Sequence, residues 1–88
     1  MNKLFMMLWD DAVYYNNENV NVFSREEIVK IFEEELSVDE LVFDIEGELS
    51  VKDGVNLLIE AGEEGERREV LNVVDDVVSV SIVEVCMK

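Results

Sequence analysis

Ser24-Arg25-Glu26-Glu27-Ile28-Val29-Lys30-Ile31-Phe32-Glu33-Glu34-Glu35-Leu36 carries the clearest helical spacing in a chain otherwise rich in strand signals. Ile28, Ile31, Phe32 and Leu36 recur at helical intervals and form one apolar stripe. Ser24, with Glu27 three residues later, makes a capping box in which each side chain satisfies the other residue's backbone N–H. Glu26 precedes Lys30 by four residues, the favourable order for an exposed pair worth ~0.3 kcal/mol. The spacing predicts a helix that ends at Leu36.

Toward the N-terminus, Lys3–Trp9 reads as a strand that continues past an irregularity at Asp10-Asp11 into Ala12–Tyr15. Asn16-Asn17-Glu18-Asn19 has turn chemistry, because asparagine tolerates left-handed backbone and bonds its own main chain. Val20 and Val22 alternate with Asn21 in a short returning strand. Toward the C-terminus, Leu41, Phe43, Ile45 and Leu49 share one parity and Asp44, Glu46 and Glu48 the other. That is strand alternation, with Gly47 marking a bend or close approach. A second short helix capped by Ser37 and Glu40 is the alternative there. Lys52-Asp53-Gly54 reads as a hairpin turn, Val55–Ala61 as a strand, and Gly62-Glu63-Glu64-Gly65-Glu66 as a loop. Val70–Val74 and Val77–Val85 read as two strands joined at Asp75-Asp76. Val70, Leu71, Val74 and Val78 also fit a helix, so 66–78 stays open between the two. The sum is an α+β fold, one amphipathic helix packed on an antiparallel sheet of five or six strands, in a single domain over 1–88.

Composition narrows the function. With 22 acidic against 7 basic residues the formal net charge is −15, whereas solubility is served by a magnitude of roughly 2 to 8 in a small domain. The excess repels itself, nucleic acid and anionic membranes, and attracts basic surfaces. No direct nucleic-acid or membrane partner is expected. Leu4-Phe5-Met6-Met7-Leu8-Trp9 is too short to span a bilayer, and Asp10-Asp11 follows with no small-residue cleavage site, so a cytoplasmic protein is expected. Cys86, the only cysteine, forms no disulfide framework and reads as a small apolar side chain near a strand end.

Catalytic equipment is sparse. The chain has no histidine, its four glycines form no phosphate-binding loop, and its serines lack a nearby base. Asp10-Asp11 and Asp75-Asp76 are adjacent pairs, and adjacent strand residues point to opposite faces. Nothing follows calcium-loop spacing. No enzyme, cofactor or metal site is expected. Arg67-Arg68, the only basic pair, reads as a local partner for the glutamates around it.

The stretch between Lys30 and Lys52 holds eight acids and no base: Glu33, Glu34, Glu35, Asp39, Glu40, Asp44, Glu46 and Glu48. These are the candidate partner-binding residues. Glu33-Glu34-Glu35 falls at the predicted helix C-terminus, where the dipole disfavours each exposed carboxylate by roughly 0.3–1 kcal/mol. Asp44, Glu46 and Glu48 would project from one strand face every ~6.7 Å. That spacing is loosely commensurate with alternate phosphates of a DNA strand, which presents a charge every ~3.4 Å. Local rules broken without internal compensation point to a functional surface.

In length, charge and compact α+β character the chain resembles the small acidic inhibitors encoded by phages and mobile elements, including DNA mimics and many anti-CRISPR proteins. The resemblance implies a basic nucleic-acid-binding protein, a nuclease or CRISPR effector, as partner. Tyr14-Tyr15 near Asp10-Asp11 is similar to the paired tyrosines of colicin-type immunity proteins. The proline of those members is absent here, and the strand-rich pattern departs from their helical fold. The expectation is an inhibitor, monomeric or homodimeric, that binds through an acidic, phosphate-mimicking face, with Trp9, Tyr14 and Tyr15 either in the core or anchoring the contact. The alternative is an antitoxin, immunity protein or regulatory subunit that binds through an apolar patch.

Overall fold

The structure, a computed structural model, describes residues 3–85. Its elements in chain order are β1 (Phe5–Trp9), β2 (Ala12–Val13), α1 (Arg25–Lys30), a π-helical turn (Ile31–Glu35), β3 (Glu40–Phe43), β4 (Gly47–Ser50), α2 (Val51–Glu63), β5 (Arg68–Val70) and β6 (Val78–Glu84). The six strands form one antiparallel sheet in the order β2-β1-β6-β5-β3-β4. The fold is therefore α+β with one antiparallel sheet. Cys86 lies outside the described residues.

The helix begins as its cap predicts. The Ser24 hydroxyl accepts from the Glu27 N–H at 3.2 Å, and the Glu27 carboxylate accepts from the Ser24 N–H at 2.8 Å. Its final turn widens, so the Leu36 N–H bonds the Ile31 carbonyl at 2.9 Å. Ser37, at φ +53, then leaves the helix, and Val38 N–H closes on Phe32 O at 3.0 Å. Ser37 thus ends a helix and starts no second one.

The returning strand expected at Val20 and Val22 does not form, and only an isolated bridge pairs Phe23 with Phe5. The sequence reading also fails at four junctions. At Asp10-Asp11 the chain reverses, with both residues at positive φ (51 and 73), the backbone of a two-residue hairpin. Asp10 anchors this turn to β6: its N–H donates to Ser79 O at 2.8 Å, and its Oδ1 accepts from Ser79 N–H at 2.9 Å. At Asp44–Glu46 the expected single strand folds over, and Leu41 faces Leu49 in a β3–β4 hairpin. The parity of 41–49 looked continuous because the turn between the strands preserves it.

Lys52-Asp53-Gly54 is the first turn of α2 and Val55–Ala61 its body. Ser50 caps it, accepting from Asp53 N–H at 3.2 Å, and Val51, Val55, Leu58 and Ile59 face the core. A Cβ on Gly54 would lie 2.7 Å from Leu41 Cδ1, so this glycine serves helix–sheet contact and forms no turn. Finally, β5 stops at Val70, and residues 71–77 are irregular. Asn72 there takes the place of a strand: its amide donates to Glu40 O at 2.8 Å and accepts from Val42 N–H at 3.0 Å.

One buried cluster joins Phe5 and Met7 of β1, Leu41 and Phe43 of β3, and Val70, Val78, Val80 and Ile82 of β5 and β6 to the helical residues Ile28, Ile31, Phe32, Val55, Leu58 and Ile59. Every strand residue in that set has the same facing, so both helices cover one side of the sheet. The radius of gyration is 12.0 Å, which equals the roughly 12 Å of a compact domain of this length. Among the described residues no helix is long and apolar enough to cross a membrane.

Candidate functional site

The two-layer arrangement leaves the opposite face of the sheet uncovered by either helix. Register decides which residues stand there. Met6 faces Val83, Leu8 faces Ser81 and Val13, Glu69 faces Ser79, and Val42 faces Glu48. Glu40 shares the facing of Val42, two residues before it on β3. Asp44 follows the same parity at the start of the turn, and its N–H bonds Glu69 O at 3.2 Å. Val42 is thus surrounded on the open face by Glu40, Asp44, Glu48 and Glu69, which come from three strands and one turn.

The eight sequence-selected acids do not form one row. Glu33, Glu34 and Glu35 are exposed on the π-helical turn, away from the open face. Glu35 turns toward the 16–19 loop and accepts from Asn17 N–H at 3.4 Å. Burial, and then the Glu35 charge, holds the Tyr14 hydroxyl above its ordinary value. Asp39 and Glu40 open β3, and Glu48 lies on the neighbouring strand.

Glu46, expected between Asp44 and Glu48 on one strand face, is instead tucked into the hairpin turn. Its Oε2 lies 2.7 Å from Arg68 Nε, with both side chains half-buried, and its Oε1 is buried without a hydrogen-bond partner. Arg68 also reaches Glu66 at 3.1 Å, and the hydrogen bonds to Glu46 and then Glu66 raise its already high affinity for its proton. Arg67 pairs with Asp11 at 2.8 Å. The Arg67-Arg68 pair therefore neutralises this chain's own carboxylates, but of the glutamates around it only Glu66 is a partner, while Asp11 and Glu46 come from distant parts of the chain. The pairing takes Glu46 out of the candidate surface.

Glu40 and Glu48 behave oppositely. They stand on adjacent strands, diagonal to each other across the β3–β4 pair on the open face. Hydrogen bonding to Glu48 first, then partial desolvation and the charges of Glu48 and Asp39, favours the protonated form and holds the Glu40 carboxyl above its ordinary value. Among the described residues no ion pair reaches Glu33, Glu34, Glu35, Asp39, Glu40, Asp44 or Glu48. Glu69 joins this cluster only through the sheet order. Sequence reasoning missed it because β5 and β3 are neighbours in space but far apart in the chain.

The aromatic residues divide. Trp9 stacks on Tyr14 with ring centroids 5.2 Å apart and on Phe32 at 6.3 Å, so both Trp9 and Tyr14 belong to the packing. Tyr15 is exposed. A groove of about 300 Å³ beside β6 is lined by Asp11, Gly62, Gly65, Glu66, Arg67, Ser81 and Val83. Its one cation is already matched by Asp11. Among the described residues no three His, Cys, Asp or Glu side chains are grouped to hold a metal ion. No protein-family model, no curated protein and no solved structure matches the chain.

Proposed function

We propose that this protein is a cytoplasmic inhibitor that binds the basic nucleic-acid-binding surface of a partner, a nuclease or a CRISPR effector of the kind opposed by phage-encoded proteins. Its carboxylates take the places where phosphates would otherwise sit. The observation that carries this reading is the Glu40–Glu48 pair, two carboxylates on neighbouring strands of the open sheet face that no ion pair among the described residues reaches. Like charges on neighbouring strands destabilise a sheet, whereas a partner's arginines and lysines convert the repulsion into attraction.

The phosphate mimicry rests on a patch across β3, β4 and β5 rather than on a row along one strand. Neighbouring strands are spaced ~4.8 Å apart, and the patch presents Glu40, Asp44, Glu48 and Glu69 in two dimensions. Such a patch fits a basic groove better than a single line of cations would. Long-range attraction of this kind accelerates encounter and is screened by salt.

The test is a DNA-retention assay with purified nucleases and CRISPR effectors at low and high salt, with and without this protein. The expected result is displacement of DNA from at least one of them, weakening steeply as salt rises. Failure to displace DNA from any of them at low salt counts against inhibition. Displacement that tolerates salt favours the second reading, an interaction module that binds through an apolar patch. That reading has its own support in Met6, Leu8, Val13 and Val83 on the same open face.

A further inference from the structure

We infer that the open sheet face is one composite docking surface, whose occupant is a protein carrying an apolar ridge flanked by lysines and arginines. The inference rests on the acidic-face reading and adds the second half of the contact. Register places Met6, Leu8, Val13 and Val83 together over β2, β1 and β6, and places Glu40, Asp44, Glu48 and Glu69 together over β5, β3 and β4. Ser79 and Ser81 lie between the halves. Val83 is 37% exposed, and Met6, Leu8 and Val13 are half-buried.

Two physical arguments select this occupant. The first is area. At ~4.8 Å between strands and ~3.3 Å per residue, the apolar half spans roughly 10 by 17 Å, about 170 Å² in projection. A stable contact buries about 800 Å² per partner, so the apolar half is too small alone. A partner must extend over the acidic half and its rim as well.

The second argument is charge. Arg67, beside Ser81 and Val83, is already paired with Asp11 at 2.8 Å. Arg25, Lys30 and Lys52 belong to the helical layer, and Arg68 is held by Glu46 and Glu66. A second copy of this chain, itself at −15, would bring carboxylates against carboxylates or against the apolar half. A bare polycation would leave the aliphatic half wet. The fitting surface is one that offers both apolar side chains and cations.

Two defined probes separate these cases: a short amphipathic helical peptide of leucine and lysine, and an oligolysine of the same net charge. Each is titrated into the isotopically labelled protein and followed by its backbone amide signals. The leucine–lysine peptide is expected to bind at least about tenfold more tightly, from the aliphatic surface it buries. Its perturbations should fall on Met6, Leu8, Val42, Ser81 and Val83 and spare α1 and α2. The double variant Leu8→Thr/Val83→Thr should lose the preference while its oligolysine affinity stays the same, and its amide spectrum reports whether it is folded.

Equal binding of the two peptides to the wild-type protein would overturn the inference without any variant, as would perturbations centred on the helices. A dimer at low micromolar concentration in sedimentation, dissolved by the threonine substitutions, would assign the face to a second copy instead. Glu40→Lys/Glu48→Lys separates the two levels of the argument. If it leaves both peptides bound as before, the acidic-face reading fails, whatever the threonine variant does.

Discussion

Two carboxylates on neighbouring strands of one sheet face report on their surroundings through their protons. Glu40 holds its proton more tightly in the folded protein than an ordinary glutamate does, because Glu48 stabilises the protonated form. A raised folded-state value means that the native state binds more protons than the unfolded chain in that range. The associated stability is therefore present at acid pH and lost as pH rises through the Glu40 titration. The urea midpoint should increase when the pH is lowered from neutral toward the ordinary glutamate value of 4.5. Glu48→Gln should raise the midpoint at neutral pH and flatten that dependence, since an amide removes the repelling charge and can donate to Glu40. An unchanged slope in this variant would show that the two side chains do not interact. Glu46 gives the contrast: the same residue type, two positions from Glu48, is neutralised by Arg68 at 2.7 Å. Nothing in the local sequence separates these two glutamates. The partner of Glu46 is 22 residues away, and only the folded chain brings the two together.

Among the elements, α2 is the most constrained by its neighbours. Its C-terminal turn presses directly on β6, and a Cβ on Gly62 would run into the backbone carbonyl of Ile82. Backbone cannot rotate aside as a side chain can. Gly62→Ala should therefore destabilise by about 2 kcal/mol or more despite alanine's better helix propensity. Gly54→Ala would place its Cβ 2.7 Å from Leu41 Cδ1, 3.1 Å from Leu41 Cβ and 3.2 Å from Phe43 Cε2, all in buried side chains that can give where backbone cannot. Thermal denaturation should show a cost of about 1–2 kcal/mol, smaller than that of Gly62→Ala. A reversed order of the two variants would contradict the packing described for α2.

The legibility of the elements follows from the range of the forces that form them. Ser24 and Glu27 cap α1 through contacts three residues apart, and Asn16 holds its turn by accepting from Glu18 and Val20 N–H at 2.9 Å each, so both features are readable locally. The apolar residues of 51–61 satisfy helical spacing and alternation together. Gly54 tipped the reading toward a turn, because its real role is to admit Leu41 from another element. The hairpin at Asp44–Glu46 was hidden by preserved parity, and with it the true grouping of the acids. Glu40 and Glu48 were legible as unneutralised charges, whereas their diagonal placement, and the addition of Glu69, required the register of β4, β3 and β5.

For the whole molecule, how much charge there is and where it sits are separate questions. A net charge of −15 gives any acidic protein some attraction to cations. On the proposed reading, the carboxylates around Val42 on the open face do the binding, and those on the helix end do not. Two double reversals test this at equal net charge: Glu40→Lys/Glu48→Lys on the face and Glu33→Lys/Glu34→Lys on the π-helical turn. Each moves the formal charge from −15 to −11, two Glu→Lys changes of two units apiece. The decisive measurement is the affinity of both variants for the same basic nucleic-acid-binding partner across a salt series. The face reversal is expected to abolish binding at every salt concentration, while the helix-end reversal stays within a few-fold of wild type. Equal weakening of the two would mean that total charge, and no particular surface, attracts the partner.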